Sequence, residues 1–231
     1  MTKRTALIVG ASRGLGLGLA RELTTRGWQV IASARHPDAA HDLVAAARES
    51  ADGLAVEKLD TTDSQQLQTL SQRLVGTSLD LLLVNAGISG PKEQTIDKAT
   101  AADIAEVMLT NAFAPLRVAQ RLLPLVKQGG TIAFMSSYMG SVADNLTGGF
   151  DLYRASKAAL NSLTRGFVAT AAKERNLHVL TLHPGWVRTD MGGPAAPLSI
   201  EQSVRGMADV LETGRAAKHQ FLDYTGRELP W

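Results

Sequence analysis

The chain of 231 residues contains no cysteine. That excludes disulfides, thiolate metal sites and a cysteine nucleophile, and it fits a reducing compartment. Aromatic residues make up only 5% of the chain, and no run of Lys or Arg forms a basic arm. Clustered cations with interleaved rings, the pattern of a nucleic-acid surface, are therefore missing. Charge of one sign is also scarce: 24 Lys and Arg stand against 22 Asp and Glu, a formal net charge of +2. No stretch approaches the ~20 apolar residues of a membrane span. The apolar run behind Lys3 and Arg4, residues 6–10, is too short for a signal-peptide core. The five histidines show no ligand cluster, so no metal is expected. These absences lead to the expectation of a cytoplasmic protein with no nucleic-acid or membrane partner.

What is present is an alternation. Short apolar runs at residues 6–9, 28–33, 54–59, 79–84, 131–135 and 177–182, with a short seventh at 220–222, read as strands. Between them lie amphipathic stretches at 15–26, 37–49, 64–75, 101–127 and 150–175, with a last helix at 200–211. The pattern predicts one α/β domain over residues 1–231, a Rossmann-like doubly wound parallel sheet with helices on both faces. Run 79–84 is apolar enough to be covered on both faces. Pro115 and Pro124 are expected to kink or divide 101–127. Residues 191–197, with two Gly and two Pro, are expected to be the most mobile loop.

Two patterns carry chemistry. Tyr153 and Lys157 stand four residues apart on a helical stretch, hence on one face. A cation beside a phenol favours the phenolate, which would bring a group of pKa about 10 toward neutral proton exchange. The first strand runs into Gly10-Ala11-Ser12-Arg13-Gly14-Leu15-Gly16 and then a helix. Glycines at such a turn let a phosphate approach the backbone, and the helix supplies amides and a positive dipole end. The spacing G-x-x-x-G-x-G is neither the ordinary dinucleotide fingerprint nor a P-loop.

With Asn85-Ala86-Gly87, Asn111, Ser137 and Pro184-Gly185 in the same order, these motifs resemble the classical short-chain dehydrogenase/reductase family over nearly the whole chain. Residues 135–145 and 221–231 look closest to its C-factor-like carbonyl reductase branch. The resemblance implies roles. Tyr153 would protonate the substrate oxygen as hydride reaches the carbonyl carbon. Lys157 would lower the Tyr153 pKa and hold the nicotinamide ribose. Ser137 would hydrogen-bond the carbonyl oxygen, and Asn111 would hold a water linking Lys157 to solvent. Ser137 is preferred over Ser136 because the family pattern Ser-x-x-Gly fits Ser137 and Gly140. Gly10, Ser12, Arg13, Gly14, Leu15 and Gly16 would bind the cofactor, together with Asp60, Asn85, Ala86 and Gly87. Tyr153, Lys157, Pro184, Gly185, Val187 and Thr189 complete the implied cofactor set. Structural alternatives stay open: a turn cap for Ser137, a helix-kink asparagine for Asn111, a helix N-cap for Asp60.

The end of the second strand, residues 30–35, offers no acid for the adenosine ribose; Ala34 and Arg35 stand there instead. A guanidinium can clamp a phosphate with paired hydrogen bonds. NADP(H) is therefore expected, with Arg35 and Arg13 at its 2′-phosphate and Ser33 as a helper. The implied activity is hydride transfer between NADP(H) and a carbonyl or alcohol in a homodimer or homotetramer. Two rivals are a nucleotide-binding signalling or regulatory protein of the same fold, and an epimerase or dehydratase of the extended branch. The latter would need a larger substrate lobe than this chain has room for.

Overall fold

The computed structural model describes residues 3–213 and 219–231. Seven parallel strands form one sheet in the order β3-β2-β1-β4-β5-β6-β7. They are β1 (Thr5–Val9), β2 (Gln29–Ala34), β3 (Leu54–Lys58), β4 (Leu79–Val84), β5 (Val126–Met135), β6 (His178–His183) and β7 (His219–Asp223). The order reverses between β1 and β4, and at such a switch point the loops beyond the strand ends diverge into a crevice.

Helices α1 (Gly14–Thr25), α2 (His41–Glu49) and α7 (Ile200–Glu212) share one core with Ala6, Ile8, Leu81 and Leu83. Helices α3 (Ser64–Arg73), α5 (Ala114–Leu122) and α6 (Asp151–Ala169) share the other with Leu7, Val9, Leu82 and Phe134. Successive strand residues thus feed opposite layers. This is why the central strands read as unbroken apolar runs. Each fully buried Leu or Ile contributes about 2 kcal/mol of apolar burial. Helix starts follow local chemistry. Asp63 caps α3 by accepting from the Gln65 and Gln66 amides. Capping boxes start α4 (Ala101–Met108) with Thr100 and Asp103, and α7 with Ser199 and Gln202.

The long helix expected at 101–127 is broken. A π-helical turn, Leu109–Phe113, separates α4 from α5. Pro115 has no N–H to give the Asn111 carbonyl, and the Ala114 amide reaches back five residues to Leu109. A 3₁₀ turn holds Pro124, and β5 then begins at Val126 rather than near 131. Lys127 is therefore a strand residue, its ammonium 2.8 Å from both Asp80 oxygens. The stretch 37–49 opens with a 3₁₀ turn before α2. Helix α6 ends at Ala169, with residues beyond it in turns. Phe150 lies outside α6, in the left-handed region at φ 52°. Among the described residues no helix is long and apolar enough to cross a membrane.

Candidate active site

The glycine turn leaves β1 at the switch point. Gly10 has φ 87°, and a Cβ there would stand 2.7 Å from the Ala86 amide nitrogen. A Cβ on Gly16 would collide with the Gly10 carbonyl oxygen and lie 2.7 Å from Asn85 Nδ2. Both positions therefore need glycine. Asn85 braces the turn, Nδ2 donating to the Gly10 carbonyl at 2.6 Å, and the Asn85 and Ala86 amides donate to Val9. Arg13 precedes α1 in an extended conformation, and no side chain caps the helix. The first-turn amides of α1 thus face the crevice without a side-chain acceptor, as an anion site requires. The loop beyond β6 closes on this turn: Thr189 Cγ2 lies 3.8 Å from where a Gly14 Cβ would be, and Asp190 pairs with Arg13 at 3.2 Å.

Arg35 follows β2, exposed, with no hydrogen bond or ion pair among the described residues. Ser33 does not join it. The side chain is fully buried and accepts from the Gly10 amide at 3.3 Å, because strand alternation turns it inward. Asp60 does not cap α3, since Asp63 does. Its Oδ1 accepts instead from the Thr62 amide and hydroxyl.

Ser137, Tyr153 and Lys157 come together at the ends of β5 and α6. The Ser137 hydroxyl accepts from the Met139 amide at 3.2 Å, so it is a turn cap as well. The same hydroxyl lies near enough to the Tyr153 phenol to favour its ionised form. Ser136 points the other way, donating to Asn161 Oδ1 at 2.7 Å in the interior. Lys157 is buried, its Nζ donating to the Met135 carbonyl at 2.9 Å. Asn111, fully buried, holds Ile88 by both backbone groups and donates to Ser156 Oγ at 3.1 Å. Its Oδ1 would be 3.2 Å, and Lys157 Nζ 3.4 Å, from a Cβ on Gly87. Asn111 and Lys157 thus flank the same glycine.

Burial dominates the protonation of both groups. Tyr153 is half-buried by surface area, yet burial pushes its phenol up to about 12, the nearby Ser137 hydroxyl pulling the other way. Burial pushes the Lys157 ammonium down to about 8. Lys157 is not among the causes that move the phenol. Its Nζ is 5.7 Å from the ring centroid and is committed to Met135, while burial penalises a charge on either group.

Several positioning residues carried no sequence signal. Gln94 is buried in the loop after β4; its Oε1 accepts from the Tyr153 amide at 2.8 Å and its backbone carbonyl accepts from Leu152. It satisfies the first turn of α6, where Phe150 makes no side-chain cap. Asn161 joins Ser136 to the Gly140 carbonyl. Its place four residues after Lys157, on the buried face, was the available clue. Beyond β6, Ser203 holds the Pro184 carbonyl at 2.6 Å, and Val187 is buried and bridged to Leu198. Residues 191–197, expected to be mobile, are tied by Trp186 to Gly192 and by Arg188 to Ala196 and Pro197.

A doubly wound parallel sheet with a glycine turn at its switch point and a tyrosine–serine pair beside it defines a Rossmann-type nucleotide-binding oxidoreductase. The chain belongs to the short chain dehydrogenase family, whose profile matches residues 4–197. It superposes with a TM-score of 0.95 on a short-chain dehydrogenase/reductase from Burkholderia multivorans solved with bound NADP, 45% identical over 100% of both chains. A carbonyl reductase from Pseudomonas aeruginosa PAO1 in complex with NADP gives a TM-score of 0.91 at 42% identity, again over 100% of both chains. The C-signal protein of Myxococcus xanthus is 43% identical over 157 residues, 66% of this chain and 93% of that protein.

Proposed function

We propose that the protein is an NADP(H)-dependent carbonyl reductase acting as a single domain over residues 1–231. The observation that carries the reading is the convergence of Ser137 and Tyr153 at the end of β5 and the start of α6, one helical turn from the buried Lys157 held by the Met135 carbonyl. The cofactor fits the residues present. The Gly10 and Gly16 cradle has no room for a Cβ, the start of α1 is uncapped, and Arg35 is free where a 2′-phosphate needs a cation. Ser12, Arg13, Gly14 and Leu15 line the phosphate turn, with Asn85, Ala86 and Gly87 beside the adenosine ribose. Asp60 would hold the adenine, and Pro184, Gly185, Val187 and Thr189 the nicotinamide amide.

NADPH supplies the hydride when bound. Burial keeps Tyr153 protonated across the neutral range, so the proton it would donate is in place before substrate binds. Ser137 accepts from Met139, which leaves its own proton for the carbonyl oxygen. Asn111 keeps Ile88 and Gly87 beside Lys157, at the inner end of a proton path to solvent. The protein is read as cytoplasmic and as a homodimer or homotetramer through α4, α5 and α6, where Ile104 and Phe113 are exposed.

Equilibrium binding of NADPH and NADH to wild type and Arg35→Ala tests the reading. NADPH affinity should fall at least about tenfold in the variant and approach that for NADH, the cost of losing one charged clamp. Failure of the wild type to bind either nucleotide would remove the reading. The likeness to C-signal favours one alternative, a nucleotide-binding signalling protein of the same fold. Nucleotide binding without turnover of any carbonyl would select it.

A further inference from the structure

Arg154 follows Tyr153 on α6 and is only 7% exposed. A buried cation ordinarily lies against a carboxylate. Arg154 forms no ion pair among the described residues. Its Nε donates to the Gly149 carbonyl at 2.9 Å and its Nη2 to the Thr147 hydroxyl at 3.4 Å. Its Nη1 is buried with no hydrogen-bond partner among the described residues. The side chain also leaves α6 near its first turn, at the positive end of the helix dipole, where a cation is unfavourable. Nor do the two acceptors need it. Thr147 and Gly149 are exposed, so water would serve both. For stability alone, an apolar side chain of similar length would do better.

The two bonds fall on the entry to α6. Gly148, Gly149 and Phe150 all have positive φ, at 63°, 76° and 52°. Glycine takes that conformation freely, which leaves the entry loose; phenylalanine takes it under strain. Phe150 is 60% exposed and gives α6 no side-chain cap. Such a residue persists only where its surroundings over-determine it. Arg154 supplies that hold. Its side chain grips the carbonyl just before Phe150, and its amide donates to the Phe150 carbonyl at 2.8 Å. Tyr153 stands between the turn that is gripped and the arginine that grips it. The Tyr153 and Leu152 amides donate to Gln94 at 2.8 and 3.2 Å, so the loop after β4 can bind this turn only while the entry keeps its shape.

We propose that Arg154 is a positioning residue: it holds the entry to α6 so that Tyr153 stays beside Ser137, and it does so at a cost in stability. It acts through the backbone of residues 149–150 rather than on the substrate. The inference rests on the reductase reading and assigns the residue that fixes its proton donor.

Two variants test it. Arg154→Met keeps the length of the side chain and removes the charge and the donors. Arg154→Lys keeps the charge and a donor for Gly149 but loses the fork. The full chain is compared by thermal melting, NADPH titration and amide hydrogen exchange at Leu152 and Tyr153. Reduction of benzaldehyde and acetone with NADPH is followed in light and heavy water. Arg154→Met should melt at or above wild type, while the two amides exchange at least about tenfold faster and kcat falls at least about tenfold. NADPH affinity should stay within about threefold of wild type, the mark of a loss confined to the transition state. The solvent isotope effect on kcat should rise as proton transfer becomes limiting, and Arg154→Lys should recover part of kcat. Wild-type kcat or wild-type exchange in Arg154→Met would overturn the proposal. So would melting below wild type, which would make Arg154 an ordinary stabilising contact. If wild type reduces neither carbonyl the reductase reading fails, while melting and exchange still decide whether Arg154 holds the entry to α6.

Discussion

Gly140 lies flat against the backbone of Lys157: a Cβ on Gly140 would stand 2.8 Å from the Lys157 carbonyl carbon and 2.9 Å from its Cβ. The turn after Ser137 therefore sets the distance between the end of β5 and α6. The Gly140 carbonyl also accepts from Asn161 at 3.2 Å, a second tie to the same helix. Gly140→Ala must push α6 away from Ser137. The expected cost is about 1–3 kcal/mol of stability, as for overpacked interiors, together with a fall in kcat of at least about tenfold as Tyr153 and Ser137 separate. Thermal unfolding and steady-state turnover check both. A variant with wild-type melting and turnover would show that the turn does not position the helix.

Tyr153→Phe removes the phenol oxygen and little volume. The backbone amide of Tyr153 stays bound to Gln94, and Lys157 stays on Met135. Loss of the proton donor should lower kcat by about 10²–10⁴-fold. NADPH affinity should stay within about threefold of wild type, because the glycine turn and Arg35 are untouched. Single-turnover kinetics beside fluorescence titration separate the two effects; retained turnover would assign proton donation to another group.

His183 gives the fold a sensitivity to acid. Burial pushes the imidazole down to about 4, and Nδ1 is buried with no hydrogen-bond partner among the described residues. Nearby Asp223 opposes the shift and Arg227 adds to it. The unfolded chain takes up this proton near pH 6.5 and the folded chain only near 4. Stability is therefore full above 6.5 and falls as pH drops toward 4, by about 3 kcal/mol at most for this group. His183→Phe keeps a ring against Tyr138 and removes the titration. Denaturant unfolding at pH 7 and pH 4.5 should show a smaller loss in the variant; equal losses would mean that His183 does not hold back its proton. His219, also pushed down to about 4 by burial, is present in both proteins and drops out of the difference.

The sheet was legible because a parallel strand covered on both faces must be apolar throughout, as the run 79–84 is. The glycine turn was legible because Gly10 and Gly16 stand where backbone or side-chain atoms leave no room for a Cβ. The break in 101–127 was only half legible. Pro115 marks an interruption, but the wide turn it produces also depends on Asn111 having Ile88 and Ser156 to bind, which are distant in sequence. Gln94 was invisible, since one glutamine in a polar loop shows nothing until α6 brings its unpaired first-turn amides alongside.

Residue spacing alone placed Tyr153 and Lys157 on one face, put glycines after the first strand and set Ala34 where an acid would otherwise stand, with Arg35 next to it. These are local properties of helix period, backbone sterics and side-chain charge. Only the tertiary structure decided that Ser136 is held by Asn161 in the interior, that Ser33 turns inward and that Lys157 donates to the Met135 carbonyl. It also decided the protonation of the pair. Solvent loss shifts both groups against charge, and how much solvent each loses depends on what distant segments pack around it.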